Sequence, residues 1–191
     1  AITTGDLDAW TFIANPGDSV ILRASRQSGD TSFNPWLRLY GPAGELISDG
    51  LSGSAQLVQE LTFVATNGGA YVALVGDSSF GNFDDTGTYK LCFVKVPGVS
   101  ITPDDGGRLT NAASATGLVT LGDLDVWQFI ACRGDTVTIR ASRLTSTNTL
   151  DLSVRLYGPT GASLASRTGG DAVSITAVAA QSGLFTALVG D

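Results

Sequence analysis

The feature that most constrains this chain is an internal repeat. The stretch "GDLDAWTFIANPGD" begins at Gly5, and "GDLDVWQFIACRGD" begins at Gly122, which is 117 positions later. This offset holds without a gap over residues 5–42 and 122–159, where 20 of the 38 aligned pairs are identical. The second copy is then three residues shorter, and the match resumes at an offset of 114. It joins "GGAYVALVGD", which ends at Asp77, to "SGLFTALVGD", which ends at Asp191. Such self-similarity indicates one structural module used twice in a row.

The two copies differ at their ends. After Asp77 the first copy continues with "SSFGNFDDTGTYKLCFVKV", whose last part predicts one more strand, and no such stretch follows Asp191. The second copy is preceded by "GGRLTNAASATGLVT", whereas only "AITT" precedes Gly5. We therefore expect the second module to lack the closing strand of the first.

Short stretches in each copy alternate between apolar and polar residues with a period of two, as in "SVILRAS" and "WLRLYG". Turn sequences such as "NPGD" and "GPAGE" separate these stretches, which is the pattern of antiparallel β-strands. The sequence predicts an all-β chain of two tandem antiparallel β-sandwiches of jelly-roll type. The expected domains are residues 1–97 and 108–191, joined by a Pro/Gly linker at 98–107.

Composition bounds the partners of the chain. The formal net charge is −7 and 43% of the residues are hydrophobic, which is typical of an acidic globular protein. A phosphate backbone would be repelled by this charge, so we expect no nucleic-acid partner. No apolar run approaches the length of a membrane span, so we expect no membrane insertion.

The order "GDLDxWxFxA", "RLYGP", "ALVGD" and "GTYKL" resembles the bacterial pre-peptidase C-terminal domain, above all the tandem form found in secreted and surface proteins. The resemblance covers nearly all of 5–96 and 122–191. It implies a β-sandwich on an extracellular protein. Similar modules serve as accessory domains of secreted hydrolases, as matrix-binding domains sometimes assisted by Ca²⁺, or as repeats in surface arrays.

The residue types do not favour catalysis. The chain contains no histidine, which excludes Ser-His-Asp and Cys-His mechanisms. Its obvious acids recur in both copies at turn positions, where hydrogen bonding to nearby backbone N–H groups is their usual role. We therefore predict a protein that is not an enzyme.

Several acids are candidate ligands for Ca²⁺, since carboxylate oxygens suit this cation. Asp6 and Asp8 lie one residue apart, and a loop acid such as Asp77 or Asp85 would complete the shell. Asp123 and Asp125 repeat the pair in the second copy. The alternative is that these acids accept backbone N–H groups where a strand begins.

The two cysteines, Cys92 and Cys132, occupy non-equivalent positions of the repeat. They form either a disulfide between the modules or two buried thiols. A disulfide would indicate an oxidising, extracellular compartment.

A possible interaction surface consists of Arg23 and Arg38 with their repeats Arg140 and Arg155, and of Trp36. We expect the arginines to point away from the core on neighbouring strands, where they would bind an acidic partner or form a surface network with nearby acids. Trp36 would stack on a sugar or a neighbouring subunit, or pack at the edge of the core.

The unequal ends of the repeat suggest a function. We expect a subunit of an extracellular surface fibre or repeat array, which binds copies of itself head to tail by β-strand complementation. The alternative is an accessory module of a secreted hydrolase that recognises matrix protein or polysaccharide.

Overall fold

The computed structural model describes residues 1–50, 56–78, 83–98, 106–144 and 150–191. Contacts divide the chain into unit 1, Ala1–Val94, and unit 2, Lys95–Asp191. Every regular element within the described ranges is a β-strand, which confirms the all-β prediction. Among these residues no helix is long and apolar enough to cross a membrane.

Unit 1 has two sheets that enclose an apolar core. One sheet has the order β1-β6-β3-β4 and the other has the order β5-β2-β7. The core lies between them and includes Leu22, Leu39 and Tyr71. The strands are β1 (Asp8–Ala14), β2 (Ser19–Gly29), β3 (Pro35–Tyr40), β4 (Leu46–Asp49), β5 (Val58–Val64), β6 (Gly69–Asp77) and β7 (Gly87–Val96).

Unit 2 repeats this arrangement with different edges. Its larger sheet has the order β12-β11-β14-β9-β8, and its smaller sheet pairs β10 with β13. Val154, Leu156 and Phe185 are central to its core. The strands are β8 (Gly106–Arg108), β9 (Leu124–Ala131), β10 (Thr136–Ser142), β11 (Leu152–Tyr157), β12 (Ser163–Gly169), β13 (Ala172–Val178) and β14 (Gly183–Gly190).

The turn after the first long strand shows why the repeat keeps its aspartates. In unit 1 the Asp18 carboxylate accepts the N–H of Asn15 at 2.9 Å, and in unit 2 Asp135 accepts the N–H of Cys132 at 2.8 Å. The preceding Gly17 has φ +92°, a conformation that favours glycine. The recurring "GD" is therefore a turn motif.

The two units differ at two edges. Strand β7 extends the smaller sheet of unit 1, and the corresponding sheet of unit 2 has only two strands in the described part of the chain. Strand β8 pairs with β9 in parallel, whereas β1 with β6 and β9 with β14 pair antiparallel. Gly106 and Gly107 lie in the predicted linker, 98–107, and belong to this strand.

Candidate strand-binding groove in unit 2

Strand β7 completes the core of unit 1. Tyr89 and Leu91 pack against the buried cluster, and the ring of Phe93 lies 5.0 Å from that of Phe12. The inward residues of the neighbouring β2, Val20, Leu22 and Ala24, are at most 1% exposed. Unit 1 therefore shows what this module is like when its last strand is in place.

The hydroxyl group of Tyr89 connects β7 to β1. It donates a hydrogen bond to Asp8 Oδ2 at 2.7 Å and accepts one from Trp10 Nε1 at 2.8 Å. Burial, together with the hydrogen bond to the Asp8 carboxylate, raises the pKa of Tyr89 to about 12. The neutral phenol is thus the form that this site stabilises.

The first residues of β7 are held by backbone and side-chain contacts. Ile2 exchanges two backbone hydrogen bonds with Gly87, at 2.8 and 3.0 Å, and is itself 2% exposed. The Asp30 carboxylate accepts the N–H and the hydroxyl of Thr86 at 2.8 and 2.9 Å, which lowers the pKa of Asp30. These contacts fix where the strand begins.

Unit 2 keeps the residues that receive β7 but has a groove in its place. Asp125 and Trp127 correspond to Asp8 and Trp10, and both line a groove of about 570 Å³. Val119, the counterpart of Ile2, also lines it. The remaining walls are formed by the segment before β9, by β10 and by the inner face of the larger sheet, including Leu109, Leu118, Ile139, Arg140, Ala141, Leu150, Leu152, Ala187 and Val189.

One edge of β10 presents backbone groups toward this groove. Backbone hydrogen bonds from Ala179 N to Asp135 O and from Arg143 N to Asp171 O lie at the two ends of the ladder between β10 and β13. They show which residue pairs of this ladder are hydrogen-bonded. Because hydrogen-bonded residues alternate along an antiparallel pair, Val137, Ile139 and Ala141 direct their backbone groups to β13. Thr138 and Arg140 direct theirs to the opposite edge, where unit 1 has β7.

The core residues of β10 are correspondingly less covered. Val137, Ile139 and Ala141 are half-buried, although their counterparts on β2 are fully buried. They pack against the cluster of unit 2 at its margin. An extended strand that entered the groove would remove this apolar surface from water.

The candidate Ca²⁺ ligands are only partly brought together. Carboxylate oxygens of Asp77, Asp84 and Asp85 lie within 4.8 Å of one another, and among the described residues this is the one such group of three acids. Asp77 accepts the N–H groups of Asn34 and Asp85 at 3.1 and 3.2 Å, and Ser32 donates to Asp85 at 2.7 Å. The bond to Asp77 is repeated in unit 2, where Asp191 accepts the N–H of Asp151 at 3.1 Å.

The paired acids of the repeat have other contacts. Asp8 receives the Tyr89 hydroxyl, and Asp123 accepts the N–H of Leu124 at 3.1 Å and the hydroxyl of Thr120 at 3.3 Å. Asp6 is half-buried, and Asp125 is buried in the groove wall. None of these four belongs to the acidic group around Asp77.

The two cysteines are both present as thiols in the structure. Cys92 is half-buried on β7, and Cys132 is exposed in the turn after β9. The alternative of two buried thiols therefore does not describe Cys132.

The expected interaction surface is not formed as predicted. Trp36 is 3% exposed, and its Nε1 donates a hydrogen bond to Asp49 Oδ1 at 2.7 Å. The Arg38 guanidinium lies over the indole, with Cζ 4.3 Å from the ring centroid. Its ring also packs against Phe83 at 5.6 Å. Trp36 therefore packs at the edge of the core and is not available for stacking on a partner.

The arginines are also separated. Arg23 is 4% exposed and forms an ion pair with Glu60 at 2.7 Å, and Arg38 pairs with Asp49 at the same distance. The strands that carry Arg23 and Arg38 belong to different sheets, as do those that carry Arg140 and Arg155. Among the four, only Arg140 is exposed, and Arg155 is half-buried. The four arginines therefore form no stripe on neighbouring strands, and the pair of Arg38 with Asp49 agrees with the alternative of a surface network with nearby acids.

Sequence reasoning did not single out Tyr89, which joins β7 to the repeated Asp and Trp. The signal that was present is the recurring Trp10 and Trp127, because an indole N–H near a core normally needs an acceptor.

No family model matches the chain, and no curated protein matches it.

Proposed function

We propose that this chain is a non-enzymatic extracellular structural protein, a module pair of a surface fibre or repeat array. Its copies join head to tail by strand exchange, in which the groove of unit 2 receives β7 of another copy, released from its place beside β2 in that copy. The tandem repeat and the resemblance to pre-peptidase C-terminal domains support this proposal. The observation that carries it is the groove along β10, at the position that β7 occupies in unit 1.

The groove predicts the kind of strand that it receives. The backbone groups of Thr138 and Arg140 would continue the sheet, which supplies affinity without regard to sequence. A tyrosine at the position of Tyr89 would place its hydroxyl between Asp125 and Trp127. A leucine two residues later would point to the same face and cover Ile139. The pattern is that of "GTYKL".

Such a contact joins two different surfaces, the donated strand of one copy and the groove of the next. A heterologous contact of this kind does not close on itself unless the rotation between copies completes a ring. Repeated addition therefore gives a filament.

The test compares the chain with a variant in which residues 78–96 are appended after Asp191. This places a β7-type strand after β14 as it follows β6 in unit 1, so that the groove is filled from its own chain. We expect filaments of the unmodified protein by electron microscopy, and monomers of the extended variant by light scattering. In the control, the appended copies of Tyr89 and Leu91 are replaced by Asp, and assembly should return.

Two results would contradict the proposal. One is an unmodified protein that stays monomeric up to the highest accessible concentration. The other is an extended variant that assembles as readily as the parent, which would show that the groove is not the contact.

A second function is favoured by one feature of unit 1. Trp10 and Phe93, 49% and 41% exposed, line a depression of about 410 Å³ beside Asp8. Exposed aromatic rings next to a carboxylate suit a polysaccharide, as an accessory module of a secreted hydrolase requires. Saturable binding to a polysaccharide, with or without Ca²⁺, in a protein that does not self-associate would favour this function.

A further inference from the structure

We infer that the outer edge of β1 is a second docking site, which binds a parallel Gly-Gly strand of the β8 type from a neighbouring module. The inference deepens the proposed function and rests on it, because it names the second strand exchanged at a junction. Its occupant is an extended segment with two consecutive glycines, and the reason is what unit 2 places on the equivalent edge.

In unit 2 this edge is covered. Strand β8 pairs with β9 through Gly106 and Val126, Gly107 and Trp127, and Arg108 and Gln128. The contact continues where Leu109 donates its N–H to Gln128 O at 2.8 Å. The side chain of Gln128 also donates to the carbonyl of Gly98 at 2.8 Å.

The burial of β9 agrees with this cover. Val126 is 2% exposed and Gln128 is 8% exposed. Leu124 at the start of the strand is 2% exposed as well. The Gln128 amide is buried because it donates to Gly98 O and to the Thr186 hydroxyl. On an edge open to water this side chain would be exposed.

The same edge of unit 1 is open in the described part of the chain. The larger sheet ends at β1, whose counterparts of Val126 and Gln128, Ala9 and Thr11, are both exposed. Leu7, the counterpart of Leu124, is 48% exposed, and Trp10 is 49% exposed. An apolar edge strand of this length is a template for pairing with another strand.

The backbone of β1 is already in register for such a strand. The Gln128 carbonyl faces β8, and alternate residues of a strand direct their N–H and C=O groups to the same side. Through the 117-residue offset, Thr11 therefore directs its N–H and C=O to the open edge. Strand pairing there leaves the ladder between β1 and β6 intact.

The chemistry of the occupant follows from β8. Gly106 and Gly107 have φ of +140° and +143°, which residues with a Cβ rarely adopt. A Cβ built on Gly107 would lie 4.0 Å from Cζ3 of Trp127, so the strand passes close to the indole. The corresponding Trp10 would be covered by the backbone of a Gly-Gly strand.

Both junction strands then come from one connected segment. Between the units, the stretch that contains β7 and β8 supplies the last strand of one module and the first strand of the next. A junction between copies that follows the same plan fills the groove of unit 2 in one copy and covers β1 in the other. The direction of the assembly is set by this order.

The test places residues 98–117 directly before Ala1, which gives β1 the preceding sequence of β9 in the same register. Hydrogen exchange by NMR then reports on the edge. We expect the Thr11 amide to exchange at least ten times more slowly than in the parent, and the Trp10 indole N–H to shift. A graft with both glycines replaced by Val, and a grafted chain with Thr11→Pro, should each lose the Trp10 shift, whereas Thr11→Ala should keep it.

An unchanged Thr11 amide in the grafted chain would overturn the inference, as would equal protection by the Val-containing graft. A Trp10 shift on adding cello- or chito-oligosaccharide to the parent, with no protection by the graft, would assign the edge to polysaccharide instead.

Because the graft acts within one chain, its outcome is separate from assembly. Filaments that form while the graft leaves β1 open would overturn this inference alone, and a docked graft in a protein that never assembles would overturn the proposed function alone.

Discussion

At the residue scale, the Tyr89 hydroxyl has a measurable role in unit 1. It bonds both Asp8 and Trp10, and a hydrogen bond of this kind contributes about 1–2 kcal/mol. We expect Tyr89→Phe to lower the free energy of unfolding by that amount in urea titrations. Tyr40→Phe is the matched control and should cost less, because the bond that its hydroxyl accepts within the described part of the chain, from Arg38 Nη1, is long at 3.4 Å.

The same tyrosine predicts a pH dependence. Its pKa is about 12 in the folded protein, compared with about 10 in an unfolded chain, so the folded state holds the proton more tightly. The stabilisation is complete below pH 10 and decreases as the pH rises from about 10 to about 12. Urea titrations across this range should converge for the wild-type protein and Tyr89→Phe, and a constant difference would contradict the assignment.

The repeat also gives a matched pair of arginines. Arg23 is buried against Glu60, whereas its counterpart Arg140 is exposed opposite Ser174. Removing one member of a buried ion pair leaves the other charge without compensation, so Arg23→Ala should destabilise the protein by about 3 kcal/mol. Arg140→Ala should change stability by less than about 0.5 kcal/mol. Equal effects of the two substitutions in denaturant titrations would contradict the difference in burial.

These residues show where sequence reasoning stops at this scale. Alternation correctly placed Val20 and Leu22 in the core, because a strand turns every second side chain to the same face. It also placed Arg23 outside and left Trp36 either exposed or at the edge of the core, and both side chains are buried. Their burial depends on Glu60 and Asp49, which lie on other strands, and no local pattern reveals such partners.

At the element scale, the position of β7 depends on a glycine at the end of β2. Gly29 has φ +119°, and a Cβ at this position would collide with the backbone of Thr86 and Gly87. Gly29→Ala should therefore separate the two strands and destabilise unit 1 by more than about 2 kcal/mol. Gly44, with φ +81° and open space around it, is the control, and its replacement by Ala should cost about 1 kcal/mol. Thermal unfolding distinguishes the two.

The free edge of β10 can be tested through its backbone alone. In the chain extended with residues 78–96, Arg140→Pro removes an N–H that faces the added strand and leaves the ladder to β13 in place. The gain in melting temperature from the extension should be lost in this variant. Arg140→Ala removes the side chain but keeps the N–H, and should retain the gain. A loss in both variants would show that the guanidinium, and not the backbone edge, holds the strand.

The two edge strands were not equally predictable. "GTYKLCFV" carries the aromatic and β-branched residues of a strand, and its prediction as β7 was correct. "GGR" carries none, and β8 exists because the edge of β9 supplies its hydrogen bonds. The groove in unit 2 was foreseen as a missing strand, but its lining by the segment before β9 was not.

At the scale of the whole molecule, the two units share one fold but differ in how completely each smaller sheet is formed. The inner residues of β2 are fully buried and those of β10 are half-buried. Less apolar surface is thus removed from water along β10, and buried apolar area is the main source of stability. Unit 2 should be the less stable of the two.

Calorimetry of the full chain should therefore show two transitions, with unit 2 unfolding first. A peptide of residues 86–96 binds the folded groove and not the unfolded chain, so it should raise only the lower transition, in proportion to the logarithm of its concentration. The same peptide with Asp in place of Tyr89 and Leu91 should have no effect. Hydrogen exchange assigns the transitions, since the peptide should protect the amides of Thr138 and Arg140 while leaving β2 unchanged. If the higher transition moves instead, the peptide has replaced β7 in unit 1 and does not bind the groove of unit 2, which would contradict the proposed contact.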